Sequence, residues 1–184
     1  MRKDFGVKPW LFPQPVLIIG TYDKDGKANA MNAAWGGTYD VDKVVISLSE
    51  HKTTANLRLN KAFTLSFGTK DTVAASDYVG IVSQNNEPNK IEKAKLTPVK
   101  SEKVNAPLFK EYPLSLECEV DEFDEEKGIL IGKVKNVSVD ESIIVDGKID
   151  TTKLEAIIFD PINMKYRLVK DVVADAFKIG STLK

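Results

Sequence analysis

Short apolar runs separated by turn residues dominate the chain. Pro15 to Tyr22 is β-rich, and Asp23-Lys24-Asp25-Gly26 suits a tight hairpin turn, because its Asp-Gly pair accepts the positive φ that such turns need. The partner strand, Lys27 to Trp35, is unusual. Ala and Asn are weak strand formers, and neither of its alternating faces is strongly apolar. Its small side chains leave room for another group to lie against it. Gly36-Gly37 is expected to break that strand, and Lys43 to Ser49 to form a mostly buried β-branched one. Glu50 to Asn60 reads as a helix with Ala55, Leu57 and Leu59 on a modest apolar side, and Ala62 to Phe67 alternates apolar and hydroxyl residues like a half-buried strand closed by Gly68.

Thr72 to Val82 reads as a second helix with Thr72 near its cap, and Ser83 to Lys90 as a polar surface loop. Further on, Leu114, Leu116, Cys118 and Val120 share one strand face while Ser115, Glu117 and Glu119 share the other. The acidic connector Asp121 to Gly128 joins this strand to Ile129–Val137 in an expected long antiparallel hairpin. Short strands at Ala156–Phe159 and Lys165–Leu168 precede an expected closing helix from Asp171 to Lys178 that stops at Gly180. No internal repeat or low-complexity tract interrupts the series. Hairpin-joined strands without regular βαβ alternation predict a mainly β fold, α+β in content, with an antiparallel barrel flanked by helices, over residues 1–184 as a single domain.

Composition narrows the chemistry. The 184 residues carry 26 Lys+Arg against 27 Asp+Glu, a formal net charge of −1, which argues against nucleic acid as a partner. One His and one Cys exclude the zinc and iron–sulfur sites that need several such ligands, so no metal is expected. Arg2 and Lys3 imitate the start of a signal peptide, but Asp4 follows, and Pro9, Pro13 and Pro15 interrupt the apolar stretch. No run approaches the ~20 apolar residues that would cross a membrane, and a cytoplasmic protein is expected. Asn136-Val137-Ser138 matches the glycosylation pattern and is read as a chance match.

Standard catalytic motifs are missing. Gly20 and Gly26-Lys27 resemble a phosphate loop, but five residues separate the glycines where the motif has four, and Ala28 replaces its Ser/Thr. A nucleophilic triad would have to use His51, with no nucleophile-elbow sequence to support it. Ser47-Leu48-Ser49-Glu50-His51-Lys52-Thr53 sets hydroxyls, a histidine and a lysine where a strand runs into a helix. Free amides and the helix dipole there suit a phosphate, with Lys52 adding charge. Equally, Ser49 or Thr53 would serve as a plain N-cap. Cys118 lies on an apolar face and reads as core, and the acidic connector lacks the spacing of a calcium loop. Trp10, Phe12, Trp35 and Tyr39 fit core, interface or stacking roles alike. No side chain stands out as catalytic, so any reaction would lean on a cofactor.

Several segments in order resemble the flavin reductase-like FMN-binding split barrels, particularly the flavoredoxin branch. The resemblance runs through Phe12-Pro13-Gln14-Pro15-Val16, then Gly26-Lys27-Ala28-Asn29-Ala30-Met31-Asn32-Ala33-Ala34-Trp35, then Ser49-x-x-x-Thr53 with Phe63 ten residues on. It ends at Tyr166-Arg167-Leu168 and Val172 to Gly180, so it spans nearly the whole chain. It implies a six-stranded antiparallel Greek-key barrel and a homodimer with FMN near the interface. It also implies that Asn29, Ala30, Met31 and Asn32 line the flavin, that Leu48, Ser49, His51, Lys52 and Thr53 meet the ribityl chain or phosphate, and that Lys90 is the family's lysine. The implied activity is an NAD(P)H:flavin oxidoreductase, with nicotinamide as donor and a further acceptor, in some members a protein. The alternatives are a flavoredoxin-type carrier without its own NAD(P)H oxidation and a barrel that has lost its flavin. Two positions depart from the family pattern: His51 where many relatives carry Arg, and Gln84 where Gly is usual.

Overall fold

The computed structural model describes residues 1–183. After β1 (Gln14–Pro15), β2 (Leu17–Tyr22) turns back as β3 (Ala28–Ala33). Gly26 takes φ +75° in the turn, and Asp23 Oδ1 accepts from the backbone N–H groups of Asp25 and Lys27, both at 2.9 Å. Local chemistry therefore sets this hairpin and its register. β4 (Gly36–Asp40) and β5 (Lys43–Ser47) follow, then α1 (Lys52–Asn60), β6 (Ala62–Phe67), α2 (Val73–Ile81) and α3 (Lys90–Lys93). A small hairpin, β7 (Pro98–Lys100) with β8 (Pro107–Phe109), precedes the long pair β9 (Leu114–Asp124) and β10 (Ile129–Val139). The chain continues through β11 (Ile144–Val145), β12 (Lys148–Ile149) and α4 (Thr151–Leu154) to β13 (Ile157–Asp160) and β14 (Lys165–Leu168).

Seven strands form one antiparallel sheet in the order β3-β2-β6-β9-β10-β5-β4, and β1, β13 and β14 make a separate small sheet. The outermost strands of the large sheet are β3 and β4, yet only Ala34 and Trp35 separate them in sequence. A flat seven-stranded sheet would be about 29 Å wide at the usual strand spacing. Two linking residues reach at most about 11 Å between flanking Cα atoms. The sheet must therefore curl until its edges nearly meet, which makes it a split barrel. The mainly β, antiparallel split-barrel expectation is met. There are seven strands rather than six because Gly36-Gly37 does not break the chain but begins an edge strand paired with β5. At Gly36 a Cβ would come within 2.9 Å of Leu17 Cδ1 and 3.0 Å of the Val45 carbonyl, so glycine lets that edge close down on the barrel.

Leu17, Ile19, Val44, Ile46, Phe63, Leu65, Cys118 and Leu130 fill the barrel interior. On the outer side, Val16, Ile18, Ala28, Ala30, Val79, Ile91 and Phe109 form a second core beneath α2 and α3. β2 is thus buried on both faces, which accounts for the unbroken Val16–Ile19 run. Cys118 is in the core as expected, and burial pushes its thiol up to about 12, leaving it a poor nucleophile.

Three local expectations are corrected. β6 is buried on both faces rather than half-buried, because Thr64 donates to the Pro107 carbonyl and Ser66 pairs with Ser115 at 2.7 Å, so its hydroxyls are satisfied inside. α1 turns Thr53, Thr54, Asn56 and Leu57 inward and leaves Ala55 and Leu59 exposed. Its contact with β2 is polar: Asn56 Nδ2 donates to Thr21 Oγ1 at 3.0 Å, and Asn60 Nδ2 donates to the Tyr22 carbonyl at 2.7 Å. Asp171 to Lys178 forms no helix, and only a 3-10 turn appears at Ile179–Leu183. An eight-residue helix is marginal in water without a surface to pack on, and here Val172, Val173 and Phe177 are exposed. Of the roles the sequence leaves open for Trp10, Phe12, Trp35 and Tyr39, the core is excluded, since all four are exposed. The glycosylation match has a structural answer too, since the Asn136 amide is engaged by the buried Glu117.

Candidate functional site

β3 is an edge strand of the large sheet, so one of its two hydrogen-bonding edges is free. A cavity of about 200 Å³ lies between it, the start of α1, the end of α2 and α3, walled by Asn29, Met31, Asn32, His51, Lys52, Thr53, Val79–Gln84 and Lys90. A second cavity of about 280 Å³ continues from it past Met31, Asn32 and His51 to Leu48, Ser49 and Trp35. Together they form one groove along the weakly apolar strand that the sequence marks as unusual.

Two electrostatic poles face the first cavity. The first intrahelical bond of α1 runs from the Ala55 N–H to the His51 carbonyl, at 3.4 Å, so the amides of Lys52 and Thr53 are left as donors at the positive end of the helix dipole. Thr54 fixes this end by accepting from the His51 N–H at 3.0 Å and donating to its carbonyl at 2.7 Å. Arg58 reinforces it, reaching back to Glu50 at 2.6 Å and across to Glu125 at 3.0 Å on the β9–β10 turn. From the other side, the last turn of α2 brings its free carbonyls to the cavity wall. Gly80 permits this approach, because a Cβ there would meet Asn32 Cβ at 3.0 Å.

Two buried polar side chains on this cavity are left incomplete, and a buried lysine stands beside them. Asn29 is 1 % exposed; its Nδ2 donates to Thr53 Oγ1 at 2.9 Å, but its Oδ1 has no partner. Gln84 Nε2 donates to the Ala28 carbonyl at 2.9 Å, tying the loop to the free edge of β3, while its Oε1 also lacks a partner. Lys90 is 3 % exposed, and burial alone pulls its ammonium down to about 8, with no carboxylate acting against the shift. An unsatisfied buried polar group costs about 1–3 kcal/mol, so two beside a buried lysine mark a place where a polar ligand would complete the structure.

Nine of the ten residues singled out from the sequence lie on the groove. Asn29, Met31, Asn32, His51, Lys52, Thr53 and Lys90 line the first cavity, and Leu48 and Ser49 the second. Ala30 does not, because the two-residue alternation of β3 sends its side chain into the second core. The wall from Val79 to Gln84 was missed. Its apolar helix end carries no chemical signature, and the readable signal was Gly80 inside a helical pattern. Gln84, a departure from the family pattern, anchors the loop through Ala28 instead of loosening it.

Comparison with known proteins agrees with this geometry. Residues 10–151 match the model of the flavin reductase like domain. Among solved structures, flavoredoxin of Desulfovibrio vulgaris (Miyazaki F) is 35% identical, covers 98% of this chain and 100% of its own, and superposes with a TM-score of 0.93. Flavoredoxin from Methanosarcina acetivorans is 25% identical over 100% of this chain and 98% of its own, with a TM-score of 0.86. Nitrilotriacetate monooxygenase component B from Bacillus cereus shares the fold at 21% identity and a TM-score of 0.79, covering 95% of this chain and 100% of its own. With the family model spanning most of the sequence and 35% identity to a flavoredoxin along 98% of the chain, the chain belongs to the flavin reductase-like domain family.

Proposed function

We propose that this chain binds FMN in the β3 groove and acts as an NAD(P)H:flavin oxidoreductase. The observation that carries the reading is the pair Asn29 Oδ1 and Gln84 Oε1, buried without partners, together with the buried Lys90, beside the N-terminus of α1. These groups fit the flavin. The two free amide oxygens accept from a ring N–H, Lys90 donates to a ring carbonyl, and the amides of α1 with Lys52 and the Thr53 hydroxyl suit a phosphate. Bound flavin supplies two-electron chemistry that begins with hydride from a nicotinamide.

The chain's own residues bind, orient and tune. Asn29 and Thr53 hold each other at 2.9 Å, so the strand and helix walls of the groove are set together. Lys90, drawn into its protonated form by a ligand that gains negative charge, favours electron uptake. No side chain is needed as an acid, base or nucleophile.

A second reading, an electron carrier without its own NAD(P)H oxidation, is favoured by the 35% identity to a flavoredoxin along 98% of the chain. Anaerobic stopped-flow mixing of the FMN-loaded protein with NADH or NADPH separates the two. Rapid loss of the flavin's visible absorbance is the expected result; reduction no faster than that of free FMN would leave the carrier. The homodimer belongs to the same proposal. It is supported by exposed apolar residues on both arms, Phe5, Leu11 and Phe12 with Val172, Val173 and Phe177, and sedimentation equilibrium should return twice the chain mass of 20.4 kDa.

A further inference from the structure

A third cavity, of about 270 Å³, backs onto the β3 groove at Leu48 and Ser49, which line both. Its other walls are Glu50, Arg58, Phe123 and the β9–β10 turn from Glu125 to Gly128. The chain divides its side chains here. Ser49, His51, Lys52 and Thr53 face the groove, whereas Glu50 lines the cavity behind it.

Arg58, in the last turn of α1, accounts for that direction. Its Nη1 and Nη2 donate to Glu50 Oε1 and Oε2 at 2.9 and 2.6 Å, a two-pronged pair that fixes the plane of the carboxylate as well as its distance. Nε stands 3.0 Å from Glu125 Oε1, and the guanidinium lies 5.9 Å from the centre of the Phe123 ring, so the arginine is itself held from two more sides. Its hydrogen bonds hold the Glu50 carboxyl below the usual carboxylate range, and the group stays ionised. Ion pairs with partners this exposed, the Glu50 side chain at 68 % and that of Glu125 at 55 %, add little to stability. Position matters more. Glu50 immediately precedes the cap residue His51, and a helix N-terminus attracts a carboxylate lying within a turn of it. Released from Arg58, Glu50 would compete with a phosphate for the Lys52 and Thr53 amides and repel it. The first turn of α1 carries no acidic residue that would do so otherwise.

We propose that Arg58 is a positioning residue for flavin recognition: by tethering Glu50 behind Leu48 and Ser49 it keeps the start of α1 open to a phosphate, and so sets a preference for FMN over a flavin that lacks one. This role rests on the reading that the α1 amides take the phosphate.

Fluorescence titration of the full chain with FMN and with riboflavin tests it. Arg58→Met should weaken FMN about tenfold and leave riboflavin within about twofold. Adding Glu50→Gln removes the freed carboxylate and should return FMN to within about threefold of the unmodified chain. Adding Glu125→Gln instead gives the same net charge but leaves Glu50 free, and should recover nothing. Arg58→Lys keeps a charge beside Glu50 without the two-pronged bond, so it should cost FMN only about threefold, and it carries the test if the methionine variant does not fold. Equal weakening of both flavins, recovery by Glu125→Gln as full as by Glu50→Gln, or an FMN preference that survives Arg58→Met intact would overturn the role while the phosphate reading stands. An unmodified chain that binds FMN and riboflavin equally would overturn the phosphate reading, and this role with it.

Discussion

The two cavities that flank the start of α1 are made of different materials. On one side Lys52, Lys90 and the amides of α1 gather positive potential around two unsatisfied carbonyl oxygens. On the other, Arg58 is already engaged by two carboxylates, Glu50 and Glu125. They are similar in size, so what separates them is charge and polarity. The incomplete side is strained by burial and gains most from a ligand. The other side has its charges paired as it stands, and its part is to keep a carboxylate away from the first.

The incomplete side should therefore show opposite effects on stability and on binding. Lys90→Met removes a buried, unpaired ammonium, so the apoprotein should melt higher while FMN affinity falls about 10- to 100-fold, the scale of a lost hydrogen bond to a charged group. Thermal unfolding with and without FMN checks both signs, and a variant that loses stability in both would remove the contrast. Thr53→Val should weaken FMN by about 1–2 kcal/mol and also destabilise the apoprotein, because Asn29 Nδ2 then loses its partner; Kd and urea midpoints measure the two effects.

The same lysine gives a pH signature. Its ammonium is lowered to about 8 in the folded apoprotein against an ordinary value near 10.5. Below pH 8 it is charged both folded and unfolded, and the burial penalty is fully present. As pH rises from 8 towards 10.5 the folded state sheds its proton first, so this contribution to apoprotein stability improves with pH. Binding runs the other way, since a ligand that needs the charged form raises its pKa. FMN affinity should fall about tenfold between pH 7 and 9, as fluorescence titration across that range would show. The smallest expected effect is that of Gln84→Ala, about 1 kcal/mol of stability from the lost bond to the Ala28 carbonyl, which urea unfolding checks.

Much of the barrel was legible because its signals are local. The Asp23–Gly26 turn set the β2–β3 register, and the alternation of Leu114 to Val120 against Ile129 to Val137 gave the long hairpin that the structure contains. What failed depended on distant partners. Gly36-Gly37 reads as a break until the curled sheet demands a close approach to Leu17. The inward face of α1 is polar because Asn29 and Thr21 meet it there, which no helical periodicity reports. At the site, Asn29 and Thr53 were readable as polar residues in a small-residue strand and at a helix start, while Lys90 came only from the family resemblance, because its own segment reads as a polar surface loop. The α2 wall was not readable, because ordinary apolar residues acquire that role only through packing.

Parallel titration of the full chain with FMN and with riboflavin, which lacks only the phosphate, tests most directly whether the β3 groove is a flavin site with its anion at α1. The account predicts saturable FMN binding, with riboflavin about 10- to 100-fold weaker from loss of the α1 amide and Lys52 contacts. Equal affinities for the two, or no binding of FMN at micromolar concentration, would contradict it.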